Sequence, residues 1–252
     1  MRIIHLSFSL VLAIAMLTSS RASQASPSVS TPVLNATSAP TIVIGFVGGF
    51  VKHDNAMYLA VQLAARLRRD YPVGAYVRVF ENRRGKEAHA EILRLLDSDR
   101  NGVLSAQEKE GARIVLYGQS WGASETVTLA RMLQNEGIPV RLTIQVDSVQ
   151  KVGQTDGVIP PNVARAVNFY QPHGYIHGRS QIVAADPART KIIGNFRFDY
   201  REHPYTCPQY SWFDLIFAKS HLEIECDPTV WSQIETLVRS ELPQLAANGH
   251  GT

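Results

Sequence analysis

The sequence predicts an α/β architecture, a doubly wound and mainly parallel sheet with helices on both faces. Three observations lead there. Apolar, largely β-branched runs at residues 41–47, 75–80, 113–117, 140–146 and 166–170 read as strands buried on both faces. Stretches with apolar residues at helical spacing lie between them, at 55–69, 86–96 and 124–136. Strand and helix alternate with short connections, the order expected of parallel strands joined by helical crossovers. A chain of 252 residues with 45% hydrophobic and 19% charged residues suits one globular domain.

Each element has its own signal. Arg2, the mostly apolar run 3–17 and the small and polar residues after it have the layout of a secretory signal peptide. Cleavage is expected after Ala25, with Ala22 as the alternative. A Ser-, Thr-, Pro- and Ala-rich leader occupies 26–40, where Asn35-Ala36-Thr37 matters only if the source glycosylates. The apolar run is too short for a comfortable membrane span and no later segment qualifies, so the expected product is secreted or periplasmic and free in solution. Arg2 and Arg21 supply two of the three net positive charges, and no Lys/Arg block tracks phosphates, which argues against nucleic acid as a partner.

The folded domain is expected over 41–245, followed by a disordered tail at 246–252. Strand 41–47 runs into Gly48-Gly49, and helix 55–69 carries Tyr58, Leu59, Leu63 and Leu67 at helical spacing. Helix 124–136 is closed by Gly137 in a C-cap position. Periodicity breaks down over 171–217, where Tyr175, Phe196, Phe198, Tyr200, Tyr205, Tyr210, Trp212 and Phe213 crowd together. Such a segment reads as lid-like, or as packing over the sheet edge. An amphipathic helix at 228–242 with Asp227 as N-cap ends the domain. In an exported protein the two cysteines, Cys207 and Cys226, favour a disulfide worth about 3 kcal/mol, two separate buried thiols being the alternative.

The most informative motif is Gly118-Gln119-Ser120-Trp121-Gly122, placed between the strand 113–117 and the helix from 124. This is G-x-S-x-G in strand, turn, helix context, which holds a serine hydroxyl exposed on a strained elbow. A serine needs a base to take its proton and a third group to orient that base. In sheets of this type the partners follow in the order Ser, acid, His. His221, shortly before the last helix in what reads as a loop, is the leading base, and His203 is next. His173 and His177 flank the loop after strand 166–170, whereas His53 and His89 precede the serine and are out of order. For the acid, Asp147 at the end of strand 140–146 is preferred to Asp186, which precedes Pro187 and could be a turn former. An oxyanion needs two backbone donors. Trp121 N–H follows the nucleophile, and Phe50 N–H, ahead of Gly49, is the candidate from the Gly48-Gly49-Phe50 turn.

Carried by Gly118-Gln119-Ser120-Trp121-Gly122, by Val146-Asp147-Ser148-Val149 and by Ser220-His221, the chain resembles the α/β-hydrolases of the serine esterase, lipase and thioesterase type over residues 41–242. The resemblance implies hydrolysis of an ester or thioester through an acyl-enzyme, with Ser120 attacking, His221 moving the proton and Asp147 orienting it. No cofactor is implied for that chemistry. The first turn lacks the His-Gly pair common in the family, and no cap domain is visible between 147 and 168. A small acyl ester is the expected partner, with acyl transfer to another acceptor as a variant of the same chemistry.

A second motif, residues 97–108, matches the calcium-loop pattern D-x-[DN]-x-[DN]-G-x5-E. Asp97, Asp99 and Asn101 offer oxygens at the first, third and fifth places, Val103 its carbonyl, Ser105 the ninth place and Glu108 a bidentate carboxylate. The loop resembles the EF-hand or dockerin type. No second loop pairs with it, so a structural Ca2+ of weak affinity is expected, roughly 10⁻⁴ to 10⁻³ M. An acidic surface loop without a metal is the plainer alternative. A calcium-dependent binding module on a hydrolase scaffold that has lost turnover is the competing function.

Overall fold

The computed structural model describes residues 40–210 and 212–244. The signal peptide, all of the leader but Pro40, the sequon and the tail at 246–252 lie outside the described residues. In chain order the elements are β1 (Thr41–Val47), α1 (Leu59–Asp70), β2 (Ala75–Glu81), α2 (Gly85–Leu96), α3 (Ala106–Glu110), β3 (Ile114–Gln119) and α4 (Trp121–Asn135). Then follow β4 (Val140–Val146), β5 (Val158–Ile159), β6 (Val163–Tyr170), β7 (Val183–Ala184), β8 (Lys191–Arg197), α5 (Trp212–Cys226) and α6 (Pro228–Arg239).

Six strands form one sheet in the order β2-β1-β3-β4-β6-β8, parallel throughout, and β5 and β7 make a small parallel pair. Alternate side chains of β1 enter different cores, which is why the run is apolar at nearly every position. Val43 and Val47 join Leu63 and Leu67 of α1 and Val230, Trp231 and Ile234 of α6 on one face. Ile42, Ile44 and Phe46 join Ile92 of α2 and Leu129 and Leu133 of α4 on the other. Full burial stabilises by about 2 kcal/mol per large apolar side chain. Tyr117 of β3 crosses the first core to donate to Ala60 O at 2.9 Å, and Trp231 packs edge-on against its ring.

Several boundaries move. Helix α1 starts at Leu59 rather than 55, because residues 52–58 form successive turns through Asn55 N to Lys52 O and Tyr58 N to Asn55 O. Helix α4 starts at Trp121, directly after the serine, and α6 ends at Arg239. Gly137 adopts φ +72° beyond the end of α4, as its C-cap position requires.

The largest correction concerns 171–217. This stretch is not irregular throughout, since it holds β8, the edge strand of the main sheet. Being at an edge, β8 is only half-buried, and Lys191, Asn195 and Arg197 break up its apolar pattern. Phe196 stacks on Phe169 of β6 at 5.4 Å between centroids, and Phe198 lies against the same ring. These aromatics cover the sheet edge. Cys207 and Cys226 form a disulfide across a separation of 19 residues, with Cα atoms 6.0 Å apart, tying the segment before α5 to the end of that helix. No helix among the described residues is long and apolar enough to cross a membrane.

Candidate active site

Ser120 occupies the single residue between β3 and α4, at φ 57° and ψ −125°. A non-glycine residue in that region costs on the order of 1–2 kcal/mol. Backbone bonds hold it there: Ser120 N donates to Val146 O at 2.9 Å, and Ser120 O accepts from Ala123 N at 3.0 Å. Its hydroxyl caps nothing in α4. The glycines on either side are required by space. A Cβ at Gly118 would lie 2.4 Å from Gly122 O and 2.8 Å from Ala123 N, and one at Gly122 would lie 2.4 Å from Phe46 O. All three are backbone atoms of packed elements, so Gly118→Ala is expected to lose about 3 kcal/mol in a urea denaturation series. Gly137→Ala, where a Cβ meets nothing within 4 Å, should lose only about 1 kcal/mol from its positive φ.

Asp147 follows β4 directly, itself at φ 43°, and is fully buried. Four donors converge on its carboxylate. Oδ1 accepts from Gly178 N at 2.8 Å and Gln171 N at 3.1 Å, while Oδ2 accepts from Gln171 Nε2 at 2.9 Å and His221 Nδ1 at 2.6 Å. Gly178 can approach only because it lacks a Cβ, which would sit 2.3 Å from the Asp147 carbonyl carbon. His221 is not in a loop as its sequence context implied. It lies in α5, three residues past the non-helical Ala218 that breaks the helix. The break hides a weakly amphipathic helix inside an aromatic run.

With Nδ1–H donated to Asp147, the other ring nitrogen is an acceptor, and Gln119 Nε2 meets His221 Nε2 at 3.2 Å. No hydrogen bond joins Ser120 Oγ to the imidazole among the described residues. Both residues nevertheless line one cavity of about 380 Å³, with Phe50, Val51, Tyr58, Trp121, Val149, Ile176 and Leu222 supplying apolar walls. Resting contacts of this kind commonly tighten only when substrate arrives.

The other candidates are placed elsewhere. Asp186 accepts from Ala188 N at 3.0 Å, the turn-forming role its sequence context allowed. His173 pairs with Asp199 at 3.0 Å, His177 contacts Gly174 O, His53 pairs with Glu81 at 2.9 Å, and His203 is exposed in a turn. His89 is on α2.

The turn after β1 is built for close approach. A Cβ at Gly48 would lie 2.7 Å from Ser120 Cβ, and Gly49 has φ +49°. Val51 N closes the turn on Gly48 O at 3.2 Å. Asn82, one residue past β2, donates through Nδ2 to Gly49 O at 2.6 Å and Val47 O at 3.2 Å, and its own carbonyl accepts from Lys151 Nζ at 2.8 Å. Trp121 N–H and Phe50 N–H have no protein acceptor among the described residues. Phe50 is 84% exposed and meets Trp121 edge-on at 5.7 Å. Asn82, Gln119 and Glu225, the last also lining the cavity, were not singled out from sequence. The places of Asn82 and Gln119 at strand C-terminal ends, and of Gln119 beside the serine, hinted at a role, whereas nothing in the sequence marked Glu225.

The 97–108 loop precedes β3, so it lies toward the end of that strand opposite the serine. Oxygens of Asp97, Asp99 and Glu108 lie within 4.8 Å of one another, and Gly102 takes φ +82°. Asp97 accepts from Asn101 N at 3.1 Å and Gly102 N at 2.9 Å. Ser105 and Glu108 form a capping box for α3, and hydrogen bonds from Ser98 and Ser105 hold the Glu108 carboxyl at a pKa of about 2.

No family model matches this chain, and no curated protein matches it. Solved structures do, at low identity. A cutinase-like protein from Cryptococcus sp. is 13% identical, covering 82% of this chain and 96% of its own, with a TM-score of 0.42. A thermostable esterase from Pseudomonas putida is 11% identical over 84% of this chain and 77% of its own, with a TM-score of 0.41. An acetylxylan esterase is 13% identical over 81% and 99%, with a TM-score of 0.39. The architecture is a parallel α/β sheet that carries a strained serine between a central strand and the helix that follows it, the geometry of a nucleophile elbow.

Proposed function

We propose that this chain is an exported serine hydrolase that cleaves a small ester or thioester through an acyl-enzyme on Ser120. The observation that carries the reading is the 2.6 Å contact of His221 Nδ1 with buried Asp147, beside a strained Ser120 in the same cavity. Ser120 Oγ attacks the acyl carbon while His221 Nε2, released from Gln119, takes its proton. The developing oxyanion is received by Trp121 N–H and Phe50 N–H. Nε2 then protonates the departing alcohol or thiol, and a water repeats the cycle on the acyl-enzyme. The cavity is near the small end of the range of about 300–1,000 Å³ for ligand sites, and its walls favour an apolar acyl or aryl group. An acceptor other than water would make the same intermediate serve acyl transfer. Export is supported by the signal-like start and by the disulfide.

A fluorophosphonate probe followed by peptide mapping tests the reading. One adduct on Ser120, together with hydrolysis of short nitrophenyl esters, is expected. A folded protein that takes no adduct, with or without calcium, would sink it and favour the binding-module alternative.

We also propose that Asp97, Asp99, Asn101, Val103, Ser105 and Glu108 hold a structural calcium ion that clamps the approach to β3. Asp97, Asp99 and Glu108 already converge, which supports this. At ten times its Kd, calcium should add about 1.4 kcal/mol and raise Tm by about 3–6 °C. Absence of both binding heat and a Tm shift at millimolar calcium would overturn it.

A further inference from the structure

We propose that Glu225 is a positioning residue for the base, its carboxylate stabilising the imidazolium that forms on His221 when Ser120 attacks. The proposal rests on the serine-hydrolase reading. Glu225 is one turn beyond His221 on α5, so the two share a helix face. Both line the cavity that holds Ser120, and the Glu225 side chain is the one carboxylate among those walls. It is fully buried.

An isolated carboxylate in such a place would neutralise itself. Glu225 is only partly offset: Oε1 accepts from Leu59 N at 3.0 Å, and Oε2 accepts from Tyr210 Oη. No cation pairs with it among the described residues. The groups facing it are Tyr210 from the segment before α5, Tyr58 and the Leu59 amide from the start of α1, and His221 on its own helix. Burial pushes its pKa up to about 7, against the pull of Tyr210, the Leu59 amide and His221. The carboxylate is therefore ionised above neutrality and faces a base that becomes positive during turnover. Asp147 serves Nδ1 and fixes the tautomer, whereas Glu225 contributes charge through space without touching the ring nitrogens. A role limited to capping α1, whose Tyr58 offers no side-chain cap, would be met equally by an amide.

Glu225→Gln separates the two roles, because glutamine can still accept from Leu59 N while carrying no charge. Glutamine takes up no proton in this range, so the loss of activity that accompanies protonation of Glu225 disappears and the acid limb of kcat/KM should move to lower pH. The plateau kcat should fall about tenfold with KM within about twofold. Tyr210→Phe keeps the carboxylate and removes a donor to it. The Glu225 pKa then rises, and the loss of activity on acidification begins at higher pH. Opposite shifts in the two variants support the proposal. Should Glu225→Gln fail to fold, the Tyr210→Phe shift decides alone. If the wild type is active and the variants keep its acid limb, with only Tm changed, Glu225 is reduced to a cap. If the wild type neither labels at Ser120 nor hydrolyses any ester, the underlying reading fails and takes this one with it.

Discussion

Ser120→Ala is expected to cut kcat by about 10⁶-fold and to abolish fluorophosphonate labelling, with no loss of folded protein. The hydroxyl makes no hydrogen bond among the described residues and caps nothing in α4, so its removal leaves no buried partner unsatisfied. The strain at φ 57° is a property of any side chain with a Cβ and is the same for alanine. The backbone bonds to Val146 O and from Ala123 N remain. Stability by urea denaturation should stay within about 0.5 kcal/mol of wild type. Retained ester turnover in the purified variant would show that the nucleophile lies elsewhere.

Asp147→Asn should lower kcat by about 10⁴-fold, and unlike the serine change it should also destabilise the fold. The rate falls because an amide can donate to the imidazole and so favour the wrong tautomer. The fold suffers because donors converge on both carboxylate oxygens. Whichever way the new amide turns, its NH₂ faces N–H groups in a fully buried site. Leaving such donors unsatisfied costs about 2–4 kcal/mol, to be read from denaturation midpoints. Asp186→Asn is the matched control. Its loss is confined to a turn contact with Ala188 N, so kcat should stay within about twofold. A fall in activity for Asp186→Asn alone would reverse the assignment of the acid.

Much of the scaffold was legible in the sequence. Strands buried on both faces make continuous apolar runs, and β4 matches its expected bounds of 140–146. The elbow was legible because its steric demands are local: Gly118 and Gly122 clear backbone within five residues or in the adjacent strand. The two cysteines were expected to pair from compartment and number, and they do. Asp147 was preferred to Asp186 for ending a strand, and the structure places it against His221. Strand β8 was missed because an edge strand is buried too little to leave a continuous run. The helical setting of His221 was missed because the break at Ala218 interrupts the period.

Periodicity and short motifs record what a residue needs from its near neighbours along the chain, so the sequence by itself determined the parallel sheet, the strained serine and the candidate acid and base. The converging donors on Asp147, the contact of Gln119 with a histidine 102 residues away, the grip of Asn82 on the turn after β1 and the buried carboxylate of Glu225 were decided only by the tertiary structure. Each depends on side chains from separate elements meeting at the C-terminal ends of the strands, and such a meeting leaves no pattern in the order of the residues.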